Sequence, residues 1–114
     1  MGGSYDDDRA YADFVDGAAV HVVDIQYRQS EYDGIVGIGN VPAMSRKGWG
    51  HSTPELLRDV LELCTHPPKK ILITHHDPNR PALDFRPFLL EAQKVFAGVC
   101  DDVSLLLDGE ELSL

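Results

Sequence analysis

Positively charged residues are scarce in this sequence. Ten Lys and Arg stand against nineteen Asp and Glu, which gives a formal net charge of −9 at pH 7. This charge balance does not indicate the positively charged surface that binds nucleic acid or an anionic membrane. It is compatible with a bound divalent cation. We therefore do not expect a nucleic-acid partner.

Long apolar runs and paired cysteines are missing as well. No apolar run approaches the roughly 20 residues that a membrane-spanning helix needs, and the first residues lack the basic and apolar regions of a secretory signal. The two cysteines, Cys64 and Cys100, are far apart, and neither belongs to a CxxC pair. We expect both to be small core residues in a reducing compartment. The chain is thus expected in the cytoplasm, without a membrane partner.

The composition that remains is that of an ordinary globular protein. The chain has 114 residues, of which 43% are apolar and 25% are charged. That length allows one domain with a modest core. We expect a single structural unit over residues 1–114, with residues 1–5 flexible.

Two long helices carry clear start signals. Thr53-Pro54-Glu55 offers a hydroxyl N-cap, a proline at the first helical position and an acid in the first turn, and the apolar stripe after it predicts a helix to about Cys64. Asp84 predicts the cap of a second helix that runs to about Ala97 and ends before a glycine. A shorter helix is expected over residues 9–15, after an acidic run that would complement its dipole.

Apolar runs over residues 19–25, 71–74 and 103–107 predict three strands, and Asp108-Gly109 predicts a hairpin turn into a short edge strand. Strands and helices alternate along the chain. This order predicts an α/β fold with a mostly parallel sheet of three to four strands and two long helices on one face.

Residues 27–48 form a long glycine-rich loop in which the hydrophobic periodicity fails. Loops of this length are usually functional lids or disordered segments. Met44-Ser45-Arg46-Lys47 is its only positive cluster. It indicates either a phosphate-facing edge or a solvated loop, of which we favour the solvated loop.

The three predicted strands are apolar at consecutive positions, so both faces of the sheet should be buried. Two long helices cover one face, and the short first helix is too small to cover the other. We therefore expect part of a larger layered fold, or a protomer that hides one sheet face in a homo-oligomer.

Three polar clusters follow strands or precede a helix. Asp24 ends the first strand, His51 stands just before Thr53-Pro54, and His75-His76-Asp77-Pro78 follows the central strand. The carboxyl ends of parallel strands are where ligands and catalytic groups collect in α/β sheets. Each cluster alone is readily explained as loop or capping residues, but together they indicate a site.

Four motifs follow one another along the chain: Asp24-Ile25-Gln26-Tyr27, Glu31-Tyr32, Gly48-Trp49-Gly50-His51-Ser52-Thr53 and His75-His76-Asp77-Pro78. In this order they resemble the C-terminal half of metallo-β-lactamase-fold hydrolases. The similar branch is phosphodiesterase-like and includes phosphoribosyl cyclic phosphodiesterases and the tRNA 3′-processing endonuclease. The resemblance implies half of an αββα sandwich and a hydrolase that acts on a phosphodiester or another small ester.

The resemblance also implies roles for single residues. Asp24 would bridge two metal ions, His75 would ligate one of them, and His51 would stand beside the site as a proton donor or oxyanion partner. Neutral imidazole suits Zn, with Mn or Fe as alternatives. Asp77 would either orient a ligating histidine or cap the turn, and His76 would pack in the loop or support a ligand.

The chain departs from the family in one large respect. The His-x-His-x-Asp-His motif of the N-terminal half is absent, and the sequence has only five histidines. Two of these, His21 and His66, we interpret as structural. A catalytic metal site needs about three protein ligands, so this chain alone should bind metal weakly and show little or no activity. It would need a complementing N-terminal half, or it is a non-catalytic truncated module that self-associates or docks on a partner through its exposed sheet face.

Overall fold

Four strands form one mixed sheet in the computed structural model, which describes residues 5–46, 52–74, 79–107 and 110–113. The strands are β1 (Val20–Asp24), β2 (Lys70–Thr74), β3 (Val103–Leu107) and β4 (Glu110–Leu112), and they lie side by side in chain order. β1 pairs in parallel with β2, β2 pairs in parallel with β3, and β4 is antiparallel to β3. The fold is therefore α/β, as the alternation of elements predicts.

The helices that start at Pro54 and Phe85 begin where their start signals predict, the first helix begins four residues earlier than predicted, and a short helix at Gln29 was not predicted. The helices are α1 (Tyr5–Val15), α2 (Gln29–Tyr32), α3 (Pro54–Leu61) and α4 (Phe85–Phe96), and a 3₁₀ turn (Ala82–Asp84) precedes α4. α1 includes the acidic run that was expected to precede it. In the part of the chain that the structure describes, no helix is both long and apolar enough to cross a bilayer.

The main core lies between the helices and one face of the sheet. Side chains alternate along a strand, and the alternate residues Val23, Ile71, Ile73 and Leu105 are buried on this face. The helices contribute the apolar side chains that cover them: Leu57 and Leu61 of α3, Phe88, Leu89, Ala92 and Phe96 of α4, and Val15 of α1. All three of the longer helices thus pack on the same side.

The opposite face of the sheet is apolar at β1 and polar towards β4. Val20 and Val22 of β1 are 50% and 55% exposed. On the same face, the Lys70 ammonium lies 2.8 Å from the Glu111 carboxylate, and the Ser104 hydroxyl lies 2.8 Å from the Ser113 hydroxyl. We call the exposed valines, with Leu72 beside them in register, the β1 face. The apolar composition of the strands predicts an apolar surface across this whole face. The polar residues near β4 instead confine the apolar surface to the β1 face.

Residues 27–46 are more ordered than their composition predicts. They contain α2 and a pair of hydrogen bonds that join Ile38 and Val41, and the side chains of Tyr27 and Ile38 are 2% exposed. Gly34 has a φ of +80°, and a Cβ there would come within 2.6 Å of the Ser45 nitrogen. The glycine therefore permits close backbone packing.

The interpretation of the 44–47 cluster as a solvated loop is wrong for Arg46. Its side chain is 1% exposed, it lies over the Tyr27 ring at 5.4 Å, and it donates to the Glu31 and Met44 carbonyl oxygens at 2.8 and 3.1 Å. The guanidinium is retained inside because these carbonyl groups supply acceptors in place of water.

Candidate functional site

Asp24 and the described neighbours of His51 and His75 lie together at the carboxyl ends of β1 and β2. Asp24 is the last residue of β1 and is partly buried, and its register partner across the parallel pairing is Thr74, the last residue of β2. Ile25 forms a parallel bridge with Ser52. Thr74 and Ser52 are the residues next to His75 and His51 in the sequence, so the backbone brings three chain segments to one edge of the sheet.

His51, His75, His76 and Asp77 themselves lie outside the described residues. Among the residues that are described, no three His, Cys, Asp or Glu side chains cluster closely enough to hold a metal ion. The predicted metal site therefore has only Asp24 in the described part, and one carboxylate does not make a metal site. The roles of the four other residues stay predictions.

A buried ion-pair network lies just beyond this edge, and sequence reasoning did not find it. The Arg80 side chain is 1% exposed and the Glu31 side chain 3%. The two terminal nitrogens of Arg80 donate to the two Glu31 carboxylate oxygens at 2.6 and 2.9 Å, and one of them also donates to the Gln26 carbonyl at 2.8 Å. The guanidinium lies 4.3 Å from the centre of the Phe88 ring. We call Arg28, Glu31, Arg80, Asp84 and Glu91 the arginine–carboxylate network.

Arg28 completes the network from the segment that follows β1. Its terminal nitrogens donate to both Asp84 carboxylate oxygens at 2.6 Å, and its Nε donates to Glu91 at 2.5 Å. The hydrogen bonds from Arg28, and then those from Arg80, hold the pKa of the Asp84 carboxyl below its ordinary value. The bidentate geometry matches a guanidinium to a carboxylate more closely than an ammonium would.

The capping role predicted for Asp84 is wrong in its chemistry. Asp84 does occupy the N-cap position of α4, but its carboxylate makes no capping hydrogen bond to the helix. Its oxygens accept instead from Arg28 and Arg80. Two parallel bonds from one guanidinium to one carboxylate add geometric specificity to the charge assistance, and this favours the arginines over the helix N–H groups. Thr53, in contrast, caps α3 as predicted, since its Oγ1 accepts from the Leu56 N–H at 3.1 Å.

The two described histidines lie away from this edge. His21, in the middle of β1, faces α1, and its Nε2 is 2.5 Å from the Tyr11 hydroxyl. Burial lowers the pKa of His21 and raises the pKa of Tyr11. His66 is exposed, and its backbone N–H donates to Asp16 at 2.6 Å. Both contacts agree with structural roles.

No protein-family model matches this sequence, and no curated protein and no solved structure matches it either. The function of the chain is therefore argued from its own residues and geometry.

Proposed function

We propose that the chain is the C-terminal half of a metal-dependent hydrolase that acts on phosphodiesters or related esters in the cytoplasm. The observation that carries the proposal is the edge at which Asp24 pairs with Thr74 and Ile25 bridges to Ser52. In an α/β sheet, the carboxyl ends of adjacent parallel strands are the usual position of catalytic groups. The fold of the complete enzyme would be a metallo-β-lactamase-type αββα sandwich.

In this proposal each residue has a definite task. Asp24 and His75 hold divalent metal, Zn or else Mn or Fe, and His51 donates a proton or stabilises the oxyanion. His76 and Asp77 orient the ligands through hydrogen bonds. The metal, when bound, would lower the pKa of coordinated water and so supply a nucleophile near neutral pH. Two protein ligands leave most coordination positions to water, so the chain alone would be weakly active or inactive.

The distribution of apolar side chains supports the half-domain proposal independently. Val20 and Val22 are half exposed on the face away from the helices. A second sheet with its own helices would bury this face, and a complementing N-terminal half with a His-x-His-x-Asp-His motif would supply both the layer and the missing ligands.

Titration with Mn²⁺, followed by water-proton relaxation, tests the metal assignment. We expect a weak site with a dissociation constant of about 1 mM, equivalent to roughly −4 kcal/mol, and a further loss of affinity in the Asp24→Asn and His75→Ala variants. His66→Gln is the control because His66 is exposed and lies outside the predicted site. Hydrolysis of bis(p-nitrophenyl) phosphate by the isolated chain should remain near background.

Two results would contradict this assignment. If the Asp24→Asn variant gave the same relaxation profile as the wild-type chain, the Asp24 carboxylate would not be a metal ligand. A tight, stoichiometric site would mean that further ligands complete it, and the chain would then not need a second half.

A second candidate function is a non-catalytic module that self-associates or docks through the β1 face. The exposure of Val20 and Val22 favours it directly, because an apolar patch of this kind is more stable when it is covered. The oligomeric state distinguishes the two candidates, since a folded homodimer with no metal affinity would support the module.

A further inference from the structure

β1 is the first strand of the sheet and has β2 on one side of it. In a parallel pair, alternate residues of a strand direct both of their backbone polar groups at the partner strand. Just before β1, the Ala19 carbonyl accepts from the Lys70 N–H at 3.0 Å, so the odd-numbered residues are the ones that bond to β2. The backbone groups of Val20 and Val22 therefore point away from β2. We call these outward groups the β1 edge.

The β1 edge is accessible over most of the strand. Among residues 5–46, 52–74, 79–107 and 110–113, no strand pairs with it at Val20 or Val22, and these two side chains are 50% and 55% exposed. Ser52 lies beside the chain only past the carboxyl end of β1, where it bridges to Ile25. Backbone donors and acceptors on the edge of a sheet are a template for a further strand.

The two edges of the sheet differ in how well they resist such pairing. At the other edge, β4 carries the exposed residues Glu110 and Glu111, and charged side chains on an edge strand disfavour pairing with another chain. Residues 18–23 contain no charged residue other than His21 when it is protonated, and they contain no proline or glycine. The β1 edge therefore lacks the features that protect the β4 edge.

The helices lie in the same order as the strands. α4 packs on β3, and α3 packs between α4 and α1. Tyr11 of α1 contacts His21 of β1 through its hydroxyl. α1 is thus the outermost helix of the layer, and it lies above the β1 edge.

An exposed aromatic side chain lies on the outer flank of α1. Phe14 is 87% exposed. Arg9, in contrast, reaches the Leu63 carbonyl just after α3, at 2.8 Å, and positions 9 and 14 are about 140° apart around a helix with 3.6 residues per turn. Phe14 therefore lies on the flank of α1 that faces away from α3, on the same side of the molecule as the β1 edge.

We propose that the β1 edge joins two copies of this chain by antiparallel β1–β1 pairing about a twofold axis, with Phe14 of each copy covered by α1 of the other. The two sheets then form one sheet of eight strands, and the helical layers continue across the axis. This contact leaves the β1 face uncovered. It also does not depend on the hydrolase proposal.

The accessible groups select one register for the pairing. With His21 on the axis, Val20 of each copy exchanges two backbone hydrogen bonds with Val22 of the other, which gives four in total. The same valines become cross-strand neighbours, a favourable pair of β-branched side chains. With Val22 on the axis, Val20 would instead lie opposite Asp24, next to the position that Ser52 occupies.

A second copy is the partner that this surface fits. The chain has a net charge of −9, so two copies attract only where no carboxylates oppose each other, and residues 18–23 provide such a segment. An isologous contact also buries both Phe14 side chains at once. Because the contact is one strand pair and two aromatic rings, we expect a weak dimer with a dissociation constant of about 100 μM.

Amide hydrogen exchange tests the pairing directly. In the ¹⁵N-labelled chain, the Val20 and Val22 amides should exchange about fivefold more slowly at millimolar than at low micromolar concentration, because the dimer then dominates by mass action. The Val23 amide points at β2 and is the internal control, so its exchange should not depend on concentration.

Sedimentation equilibrium of matched variants tests the contacts. Val22→Pro removes the outward N–H but none of the bonds to β2, as an edge strand tolerates, and it should raise the dissociation constant about tenfold because two of the four hydrogen bonds are lost. Val22→Thr keeps the N–H and the branched shape, so its effect should be small. Phe14→Ser should also weaken the dimer, whereas Leu83→Ser, at a residue that is 94% exposed elsewhere, should not. Phe14→Ser decides the outcome if Val22→Pro fails to fold.

Three results would overturn the proposal. The first is a wild-type chain that stays monomeric at millimolar concentration, with unchanged exchange at Val20 and Val22. The second is an equal loss of association in Val22→Thr and Val22→Pro. The third is a dimer abolished by Leu72→Lys, because Leu72 belongs to the β1 face and not to the edge. The metal titration of Asp24 is unaffected by any of these results, so the two proposals fail separately.

Discussion

Buried charges hold together the segments that surround the candidate edge. Counted over whole residues, backbone included, Glu31, Arg46 and Arg80 are 2%, 1% and 4% exposed, which is rare for these residue types unless they are paired. Glu31 accepts from the backbone N–H of Arg28 as well as from the Arg80 side chain. The network therefore ties the segment after β1 to the segment before α4.

Glu31→Gln should destabilise the protein by about 3–5 kcal/mol, the usual cost of removing one partner from a buried ion pair. The substitution leaves the Arg80 guanidinium buried with too few acceptors, because Arg80 cannot lose its proton. Urea unfolding followed by circular dichroism measures the loss.

Asp13→Asn is the matched control for that substitution. Asp13 also pairs with an arginine, at 2.7 Å from Arg9, but both side chains are substantially exposed, and such pairs contribute little. Equal losses of stability in the two variants would show that burial of the Glu31–Arg80 pair has no energetic consequence. Glu31→Gln combined with Arg80→Met should cost less than the sum of the two single changes.

The sequence does not reveal this network, for a physical reason. Glu31 and Arg80 are separated by 49 positions, and nothing local marks either residue as buried. Charged residues in glycine- and proline-rich segments are normally solvated, so composition alone favours the wrong interpretation of Arg46. A pattern within one segment shows what that segment can form, but it does not show which distant segment will supply its acceptors.

At the scale of elements, α3 shows how local chemistry fixes a helix start. The Thr53 hydroxyl accepts from the Leu56 N–H and donates to the Gln29 side chain at 2.7 Å. Pro54 occupies the first helical turn, where its missing N–H costs nothing. The cap also joins α3 to α2, because Gln29 is the first residue of that helix.

Thr53→Ala should therefore lower the free energy of unfolding by about 1–2 kcal/mol, at the upper part of the range for an N-cap. Thr53→Ser keeps the hydroxyl and should cost much less. Thermal and urea unfolding of the three proteins give the comparison. If serine is as damaging as alanine, the methyl group of Thr53 contributes the stability and the hydrogen bonds do not.

Elements with local signals were predicted well, and those without them were not. Apolar runs gave β1, β2 and β3 within about one residue at each end. α2 has only four residues and no apolar periodicity. Its N-cap residue is Arg28, whose side chain cannot accept a capping hydrogen bond, so the sequence contains no standard start signal for this helix. For Asp84, the position at the helix start was predictable and the partner of its carboxylate was not.

At the scale of the molecule, the uncovered β1 face has a direct consequence. Val22→Lys should leave the fold intact, since the side chain is 55% exposed, and it should shift any dimer of the wild-type chain towards monomer. A lysine in a buried apolar interface would have to be desolvated. Sedimentation velocity over micromolar concentrations measures the change.

Leu83→Lys is the control for self-association. Leu83 is 94% exposed in the 3₁₀ turn before α4, outside the β1 face, so the same substitution there should not alter the sedimentation coefficient. If the wild-type chain is a monomer at every concentration while the β1 face is exposed, the proposal of a self-associating module is wrong. The complementing N-terminal half would then be the expected partner.

The candidate site could be predicted only in outline. Alternation of strands and helices was enough to bring Asp24, Thr74 and Ser52 to one edge, because parallel strands end together. The β1 edge had no signal in the sequence, since an apolar run predicts a strand but not the side on which its partner lies. Val20 and Val22 turn their backbone groups outward only because β1 pairs with β2.

The pairing of β1 with β2 also constrains the order in which the chain folds. Val20 pairs with Lys70, so roughly fifty residues must be closed into a loop before the first parallel pair is formed. β3 and β4 pair antiparallel and are separated by only two residues in the sequence, and α4 is the element that precedes β3. We therefore expect the carboxyl-terminal half of the chain to acquire structure first and β1 to dock late. During synthesis on the ribosome, which proceeds from the amino terminus, β1 and its exposed valines would emerge long before their partner strand is available.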